Sequence, residues 1–326
     1  MRFGARLRWS AIASAVALAC LATPAARAAE AVTLGTVGQP SANLWPELIA
    51  LDKGFFAAEN LKVDLVYVQS SAALVQQVTA GSPGIGIQTG LADPLRAAAM
   101  GAPISVVRIN VQAPPYDLVA KPGIASLKEL KGKVISLGGP KDITRIYVER
   151  MLKPNGVNPG EFDMVFAGAT TARASALLAG AVDAAILLPP FDFQVVAKGF
   201  KSLGLTVDYV NDLPFSGTAV NNAWATANKP TLEKLMRAES KSIAWFEDGQ
   251  NRAEALRILK TASSLSQDDI EKAYSFFRDG HYFEPTGKVS RSKLNALAKA
   301  MESLGDLPGA LDVDKIVLPG VTQMTD

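Results

Sequence analysis

The sequence has almost none of the side chains from which metal and redox centres are built. One cysteine, Cys20, and one histidine, His281, occur in 326 residues, whereas zinc sites need several such ligands. A Ser-His-Asp triad would depend on His281, which lies in a polar segment typical of a solvated loop. The segment Gly84–Gly90 lacks the spacing of a dinucleotide-binding loop, and no phosphate-binding P-loop motif occurs. We therefore expect no metal, no cofactor and no catalysis, although paired carboxylates for acid–base chemistry stay open.

The N-terminal residues have the three parts of an export signal. Three arginines precede an apolar run over Ala11–Leu21, and the small residues at Ala26–Ala28 form an A-x-A cleavage site. This run is shorter than the roughly 20 residues needed to span a bilayer, and no later uncharged stretch reaches that length. We expect export to the periplasm and cleavage after Ala28. Lipidation at Cys20 stays open, although Ala17 stands where lipoproteins usually carry leucine.

The expected mature chain is nearly neutral. Loss of the four leader arginines changes the formal charge from +2 to −2, which does not suit a protein that coats nucleic acid or an anionic membrane. The same cleavage removes the only cysteine, so stability has to come from an ordinary hydrophobic core. The 298 residues that remain of the 326 suffice for one large or two medium domains.

Short β-rich segments alternate with helical segments from Val32 onwards, which predicts an α/β fold with parallel βαβ units. The order restarts near Tyr116. Residues 72–87 and 172–186 share one pattern, in which a helix, a glycine, a tight turn and a buried strand follow each other. Two lobes built on one plan would explain this likeness, and so would the general form of any βαβ unit.

Some segments are less regular. Pro46 stands where a first helical residue is favoured and predicts one helix over Glu47–Asn60. Strands are predicted over Val207–Val210 and Thr218–Ala227, the second being long for a strand. After Pro230 the apolar spacing predicts a cluster of helices without strands.

Six loops that follow predicted strands are rich in glycine and small polar residues. In open α/β sheets ligands bind beyond the carboxyl ends of the strands, and exposed N–H groups at helix starts favour anions. Each loop taken alone is also explained as a capped turn. The candidate ligand-binding residues in these loops are Gln39, Asn43, Trp45, Ser70, Ser71, Thr89, Gly90, Gly139, Asp142, Thr144, Arg145, Thr170, Arg173, Pro190 and Phe191.

Three kinds of side chain in this set have competing interpretations. Trp45, at a helix start, suits a core anchor as well as a ligand platform. Phe191 follows two prolines that would hold its loop open. Arg145 and Arg173 lie just inside helices, where each is either solvated or paired with a carboxylate or sulfonate of the ligand.

Three segments resemble a known family. They are Leu51–Leu61, with the sequence LDKGFFAAENL, Ser126–Ile135, with SLKELKGKVI, and Ala179–Ala185, with AGAVDAA. In these segments the chain resembles the periplasmic solute-binding proteins of ABC importers, in the branch that handles nitrate, sulfonates, taurine and pyrimidine precursors. The likeness covers nearly all of the expected mature chain. It departs from the family at Ser82–Gly84, where an acidic residue is common after the turn.

The resemblance implies a two-lobed periplasmic-binding-protein fold of type II, with two strand crossings at a hinge. We expect the crossings near Asn110–Pro115 and Asn211–Asn228. The first lobe would comprise residues 29–112 and 227–326, and the second lobe residues 113–226. Ligand would bind between the lobes and close the hinge.

The resemblance also implies a function. We expect an extracytoplasmic, monomeric component of an ABC importer that captures a small anionic organic solute, sulfonate-like, taurine-like or carboxylate, and delivers it to a membrane permease. One alternative is a solute-sensing module not coupled to transport. Another is a relative that makes a thiamine pyrimidine, but that chemistry is said to need a site histidine and a cysteine-rich iron motif, which this sequence lacks.

Overall fold

The structure is a computed structural model that describes Met1 and residues 28–38, 40–263 and 265–326. The predicted leader before Ala28, with Cys20, and the candidate residue Gln39 lie outside the described residues. The strands are β1 (Glu30–Val37), β2 (Leu61–Val68), β3 (Ile85–Gly90), β4 (Ile104–Val111), β5 (Asp117–Ala120), β6 (Val134–Leu137), β7 (Asp163–Phe166), β8 (Ala184–Leu187), β9 (Lys201–Leu205), β10 (Ser216–Asn221), β11 (Val289–Ser290) and β12 (Met324–Thr325). The helices are α1 (Trp45–Asp52), α2 (Phe55–Ala58), α3 (Ser71–Thr79), α4 (Ala92–Ala99), α5 (Ile143–Leu152), α6 (Thr170–Leu178), α7 (Phe191–Ala197), α8 (Asn222–Ala227), α9 (Lys229–Glu247), α10 (Arg252–Ala262), α11 (Gln267–Asp279) and α12 (Arg291–Ser303).

Two five-stranded mixed sheets organise the chain, as expected of a two-lobed α/β fold. The first has the order β2-β1-β3-β10-β4 and the second the order β7-β6-β8-β5-β9. We call each sheet with its helices a lobe. In each sheet a central strand pairs in parallel with two neighbours, β1 with β2 and β3, and β6 with β7 and β8. An antiparallel strand then follows in each sheet, where β10 pairs with β3 and β5 pairs with β8.

The two lobes therefore follow one plan, which is one of the two explanations offered for the repeated sequence pattern. Helices α3 and α6 end in the same way, because Gly81 and Gly180 adopt positive φ values of 84° and 75° directly after them. Glycine takes this left-handed conformation without the strain that a Cβ atom brings. The helix in each case returns to a buried strand in the middle of its sheet, β3 or β8.

The chain crosses between the lobes twice, between β4 and β5 and between β9 and β10. It leaves the first sheet after β4 and returns to it in β10, and Thr206 joins the two crossings. The Thr206 hydroxyl donates to the Pro114 carbonyl at 2.8 Å and accepts from the Tyr116 N–H at 3.1 Å. The domain boundaries at 112 and 226 stay predictions. Strand β10 falls within the predicted second lobe, but it pairs with β3 and β4 and so lies in the first sheet.

Several predicted helices and strands have other bounds in the structure. The helix predicted over Glu47–Asn60 is broken after Asp52, since Gly54 has a φ of 69°. Residues 206–208 form a helical turn instead of a strand, and the strand β9 comes earlier. The long strand predicted over Thr218–Ala227 ends at Asn221, whose side chain accepts from the Trp224 N–H at 3.0 Å and caps α8. Helix α7 was not predicted.

The C-terminal helices return to the first lobe, as the resemblance implies, and α9 packs on α1 and α2. The tail is not strand-free, because β11 and β12 form a short parallel pair. Trp45 lies in the core between the lobe and this tail, with its ring centroid 6.1 Å from that of Phe246 and 6.2 Å from that of Phe277. Within the described part of the chain, no helix has the length and apolarity needed to cross a bilayer.

Candidate ligand-binding site

A cleft lies between the two sheets, where the ends of β1, β3, β6 and β8 face each other. Both lobes contribute to its lining, which comprises Val37, Gly38, Ser41, Asn43, Ser70, Ser71, Gln88, Gly90 and Phe215, and across from them Tyr116, Gly138, Asp142, Ile143, Gly168, Ala169, Thr170, Thr171, Arg173 and Leu188. The cleft has a volume of about 580 Å³, its open mouth included. A site of this volume suits a small ligand.

Close contacts between the lobes keep the cleft narrow. A Cβ atom placed on Gly168 would lie 2.5 Å from the Gln69 carbonyl oxygen, and one on Gly38 would lie 2.9 Å from the Ala169 Cβ. The Ala42 N–H donates to the Pro189 carbonyl at 3.1 Å. The lobes thus touch directly, and the structure shows them closed on each other.

On the first lobe, hydroxyl groups gather at the start of α3. The Ser70 hydroxyl accepts from the Ala73 N–H at 3.2 Å and so caps the helix. The Ser71 hydroxyl lies 2.8 Å from that of Thr89 and 3.3 Å from the Gly90 carbonyl. Thr89 is fully buried and positions Ser71 instead of lining the cleft. The positive end of the α3 dipole and two serine hydroxyls therefore face the cleft.

On the second lobe, Arg173 is the cation among the described lining residues, and its side chain is almost fully buried. Its Nε donates to the Ile186 carbonyl at 2.8 Å and its Nη1 to the Gly168 carbonyl at 2.5 Å. Within the described residues the guanidinium forms no ion pair with a carboxylate. Backbone carbonyls are only partial charges, so the positive charge of Arg173 is left largely uncompensated.

Asp142 lies at the start of α5 and also lines the cleft. It accepts from the Thr144 N–H at 2.9 Å and from the Thr144 hydroxyl, which in turn accepts from the Gly138 N–H at 2.9 Å. Thr144 is buried behind Asp142 and fixes this loop without lining the cleft. Gly139, the neighbour of the lining residue Gly138, is likewise outside the lining.

Across from Asp142, the first lobe places Asp93 at the start of α4. Burial, and then the charge of Asp142, raises the pKa of Asp93 to about 6, while the ion pair with Arg96 at 2.7 Å opposes the shift. Arg96 also donates to the Lys141 carbonyl of the second lobe. Arg96 thus compensates Asp93 and joins the two lobes at this edge.

Four candidate residues lie away from the cleft. Trp45 is a core residue, and Arg145 forms ion pairs with Glu149 at 2.8 Å and Asp306 at 3.6 Å. Pro190 is buried, and Phe191 packs against a small apolar cluster of the second lobe. These four residues are not part of the cleft lining, because a position near a helix start does not decide which way a side chain points. Asn43, Ser70, Ser71, Gly90, Asp142, Thr170 and Arg173 do line the cleft.

Gln88 and Tyr116 also line the cleft, but they are not among the candidate residues predicted from the sequence. Gln88 is buried and has a φ of 52°, which is unusual outside glycine. Tyr116 lies at the second lobe's first strand, and burial raises the pKa of its hydroxyl well above the usual value. A polar residue at the end of an otherwise apolar strand was the signal available for Gln88.

The only histidine is remote from the cleft. His281 is exposed, and its Nδ1 lies 3.0 Å from the Glu247 carboxylate. Among the described residues, no group of three or more His, Cys, Asp or Glu side chains is arranged to hold a metal ion.

Comparison with known proteins finds a family and a fold. A family model described as NMT1/THI5 like matches residues 41–253. The riboflavin-binding protein RibY of Chloroflexus aurantiacus is 26% identical over 217 residues, which are 65% of this chain and 61% of RibY. The match thus spans less than two thirds of that relative.

Solved structures share the architecture. The alkanesulfonate-binding protein SsuA from Xanthomonas axonopodis pv. citri, bound to MOPS, has a TM-score of 0.73 at 18% identity, covering 88% of this chain and 98% of SsuA. The periplasmic nitrate-binding protein NrtA from Synechocystis also has a TM-score of 0.73, at 16% identity and covering 88% and 86%. The desulfurization enzyme DszB has a TM-score of 0.64 at 12% identity, covering 90% and 97%. The fold is therefore that of periplasmic binding proteins, and it also occurs in an enzyme.

Proposed function

This chain belongs to the NMT1/THI5-like family, and from that premise we propose that it is the extracytoplasmic solute-binding component of an ABC importer. Its ligand is a small organic anion, a sulfonate or a carboxylate, held between the two lobes. The predicted export signal supports a periplasmic location, with cleavage after Ala28. A membrane permease is the proposed partner, and the names of SsuA and NrtA, both binding proteins of small anions, are consistent with this role.

Arg173 carries the proposal. A buried cation is costly unless an opposite charge compensates it, and the described residues supply Arg173 with carbonyl oxygens but no carboxylate. The start of α6 at Thr170 and the start of α3 at Ser71 both meet at the cleft and add N–H donors from their first turns. An anionic group of the ligand would complete this arrangement.

Asp142 limits which anions fit. Its carboxylate lines the same cleft as Arg173, so a ligand with negative charge throughout would be repelled at this end. A ligand with an anionic group at Arg173 and a hydrogen-bond donor, such as an ammonium, amide or hydroxyl group, at Asp142 satisfies both. A taurine-like or amino-acid-like solute has this distribution.

The alternative of an enzyme on this fold is supported by the fold of DszB. Among the described residues of the cleft, no histidine or cysteine supports it. The pyrimidine-forming alternative needs a histidine in the site, and His281 lies on the surface beside Glu247. A sensing module would use the same cleft and differ only in its protein partner. A permease and an ATPase encoded beside this chain would favour transport.

A binding panel tests the proposal. The mature chain from Ala29 is heated with taurine, alkane- and arylsulfonates, aromatic acids, nitrate and aminopyrimidines, and any stabilising solute is then titrated by calorimetry. We expect at least one sulfonate or carboxylate to raise the melting temperature, because a ligand that binds only the folded state stabilises it. Stabilisation by aminopyrimidines alone, or by no solute, would refute the anionic-solute proposal.

A further inference from the structure

Beneath the cleft, the first lobe contains a buried chain of polar side chains that begins at Gln88. The Gln88 amide nitrogen donates to the Glu47 carboxyl at 3.0 Å, and its carbonyl accepts from the Ser216 hydroxyl at 2.8 Å. Gln88 itself lines the cleft. Both ends of its amide are thus held from below, which fixes the orientation that it presents to a ligand.

Glu47 is almost fully buried, and its surroundings come from several elements. Helix α9 brings Glu239, β4 brings Arg108, β3 brings Gln88, and the partly exposed Tyr67 of β2 is close enough for the charge of Glu47 to raise its pKa. The Glu47 Oε2 atom has no hydrogen-bond donor among the described residues. That oxygen can therefore carry a proton. Glu239 is the carboxyl whose charge raises the pKa of Glu47.

Glu239 already has its compensating partners. Its carboxylate lies 3.6 Å from the Arg108 Nε and accepts from Asn110. Arg108 is fully buried and also donates to Ser240 at 2.8 Å and to the Glu284 carbonyl at 2.8 Å. One arginine therefore balances one carboxylate, and the buried network is neutral when the Glu47–Glu239 pair keeps one proton. We place that proton on Glu47, because Glu239 is the carboxyl that faces Arg108 and Asn110.

We propose that Gln88 contacts the solute and that Glu47, as a neutral carboxylic acid, is the positioning residue that holds the Gln88 amide, so that ionisation of Glu47 weakens the binding of an anion. The inference rests on the proposed function, because it assumes an anion in the cleft. Loss of the Glu47 proton leaves an uncompensated negative charge one side chain below the site, in surroundings that screen it poorly. Conversely, a bound anion makes that proton harder to lose.

The direction of the pH effect follows from the burial of Glu47. Burial first, and then the charge of Glu239, raises the pKa of Glu47 to about 8. Below that pH Glu47 is neutral and leaves anion affinity unchanged, and above it the affinity falls. Asp93 titrates lower, with a pKa of about 6, so a range above pH 7 separates the two groups.

The test is calorimetric titration between pH 7 and pH 9.5 of the mature chain with ethanesulfonate, benzenesulfonate and taurine, of which the first two keep one charge over this range. For a sulfonate, the dissociation constant of the wild-type protein is expected to rise about tenfold from pH 7 to pH 9.5. In Glu47→Gln, which keeps an oxygen acceptor for Gln88, it is expected to stay within about twofold. Asp117→Asn is the control, since this buried carboxyl bonds Ser202 outside the cleft and should leave the wild-type profile intact.

A second variant separates positioning from folding. Gln88→Met removes the amide and keeps the size of the side chain, and it is expected to weaken binding about tenfold at pH 7, the cost of roughly one hydrogen bond to a charged group. Circular dichroism and thermal melting at each pH confirm that every variant is folded.

The outcomes distinguish this inference from the proposed function. Binding by the wild-type protein with no pH dependence, or the same pH dependence in Glu47→Gln, overturns the role of Glu47 and leaves the anion cleft standing. Unchanged affinity in Gln88→Met overturns the Gln88 contact. Failure of all three probes and of the wider panel at pH 7 overturns the anion proposal and this inference together.

Discussion

The guanidinium of Arg173 lies over the ring of Tyr116, with its central carbon 5.7 Å from the ring centroid. Arg173 lies near the start of α6, and Tyr116 lies where the chain crosses into the second lobe. The contact therefore joins the candidate site to the hinge. A cation over an aromatic face is attracted to it, and the contact orients the guanidinium without neutralising its charge. The buried cation thus remains available to a ligand.

Arg173 and Arg145 give a matched pair of substitutions. Arg173→Ala is expected to weaken the binding of an anionic solute at least about 100-fold, because it removes a charge-assisted contact that is worth about 3 kcal/mol when buried. Arg145→Ala removes ion pairs with Glu149 and Asp306 and should change the affinity less than about tenfold. Calorimetry with the best solute of the panel measures both. Equal losses in the two variants would contradict the assignment of Arg173 as the anion contact.

Gly168 tests the closure of the lobes. Gly168→Ala places a Cβ atom 2.5 Å from the Gln69 carbonyl oxygen, so the closed form is hindered and solute affinity should fall at least about tenfold. Gly160→Ala is the control, since Gly160 also has a positive φ, of 87°, but no atom within 4 Å of the added methyl group. Both variants lose about 1 kcal/mol of unfolding free energy through backbone strain. Small-angle scattering with solute shows whether Gly168→Ala stays open, and a fully closed, tight-binding variant would refute the prediction.

Substitution of Trp45 distinguishes between its two interpretations, a core anchor and a ligand platform. Trp45→Ala is expected to lower the free energy of unfolding by about 3–5 kcal/mol, since it leaves a cavity beside Phe246 and Phe277. Urea unfolding monitored by circular dichroism measures this loss. The fraction that remains folded should bind solute with nearly the wild-type affinity. A stable variant that has lost binding would instead restore the platform interpretation.

The buried carboxyl of Asp117 is expected to make the free energy of unfolding depend on pH. Burial raises its pKa to about 6, while the hydrogen bond from the Ser202 hydroxyl at 2.9 Å opposes the shift. Because the folded state holds this proton more tightly than the unfolded state, the contribution of Asp117 is fully present below about pH 4 and is lost as pH rises through 6. The loss amounts to about 2–3 kcal/mol. Urea unfolding at pH 4, 5, 6 and 7 should show a smaller fall in Asp117→Asn than in the wild-type protein, and identical slopes would refute the prediction.

The segments that were predicted well are those whose conformation depends on near neighbours. The helices that end at Gly81 and Gly180 are examples, because a left-handed glycine closes a helix whatever surrounds it. The same holds for Ser70, whose hydroxyl caps α3 from the preceding position. The repeated helix–turn–strand pattern was open to two explanations, and the two strand orders have the arrangement of two lobes built on one plan.

The errors concern partners that are distant in the sequence. The strand β10 looked like part of the second lobe, but its place is decided by pairing with β3 and β4, more than 100 residues earlier. Strand β9, with the sequence KSLGL, has too weak an apolar pattern to be recognised alone, and it exists because β5 offers it an edge. Neither pairing leaves a signal within the segment itself.

By itself the sequence determined the alternation of strands and helices, the likeness of the two halves, the family and most of the loops around the cleft, because caps, turns and periodicity act over a few residues. Only the tertiary structure decided that Arg173 faces the cleft while Arg145 pairs with Asp306, and that Trp45 belongs to the core. It also brought Glu47, Gln88 and Glu239 together beneath the site, from three separate elements. The direction of a side chain and the compensation of its charge depend on packing against distant parts of the chain, and no local pattern records them.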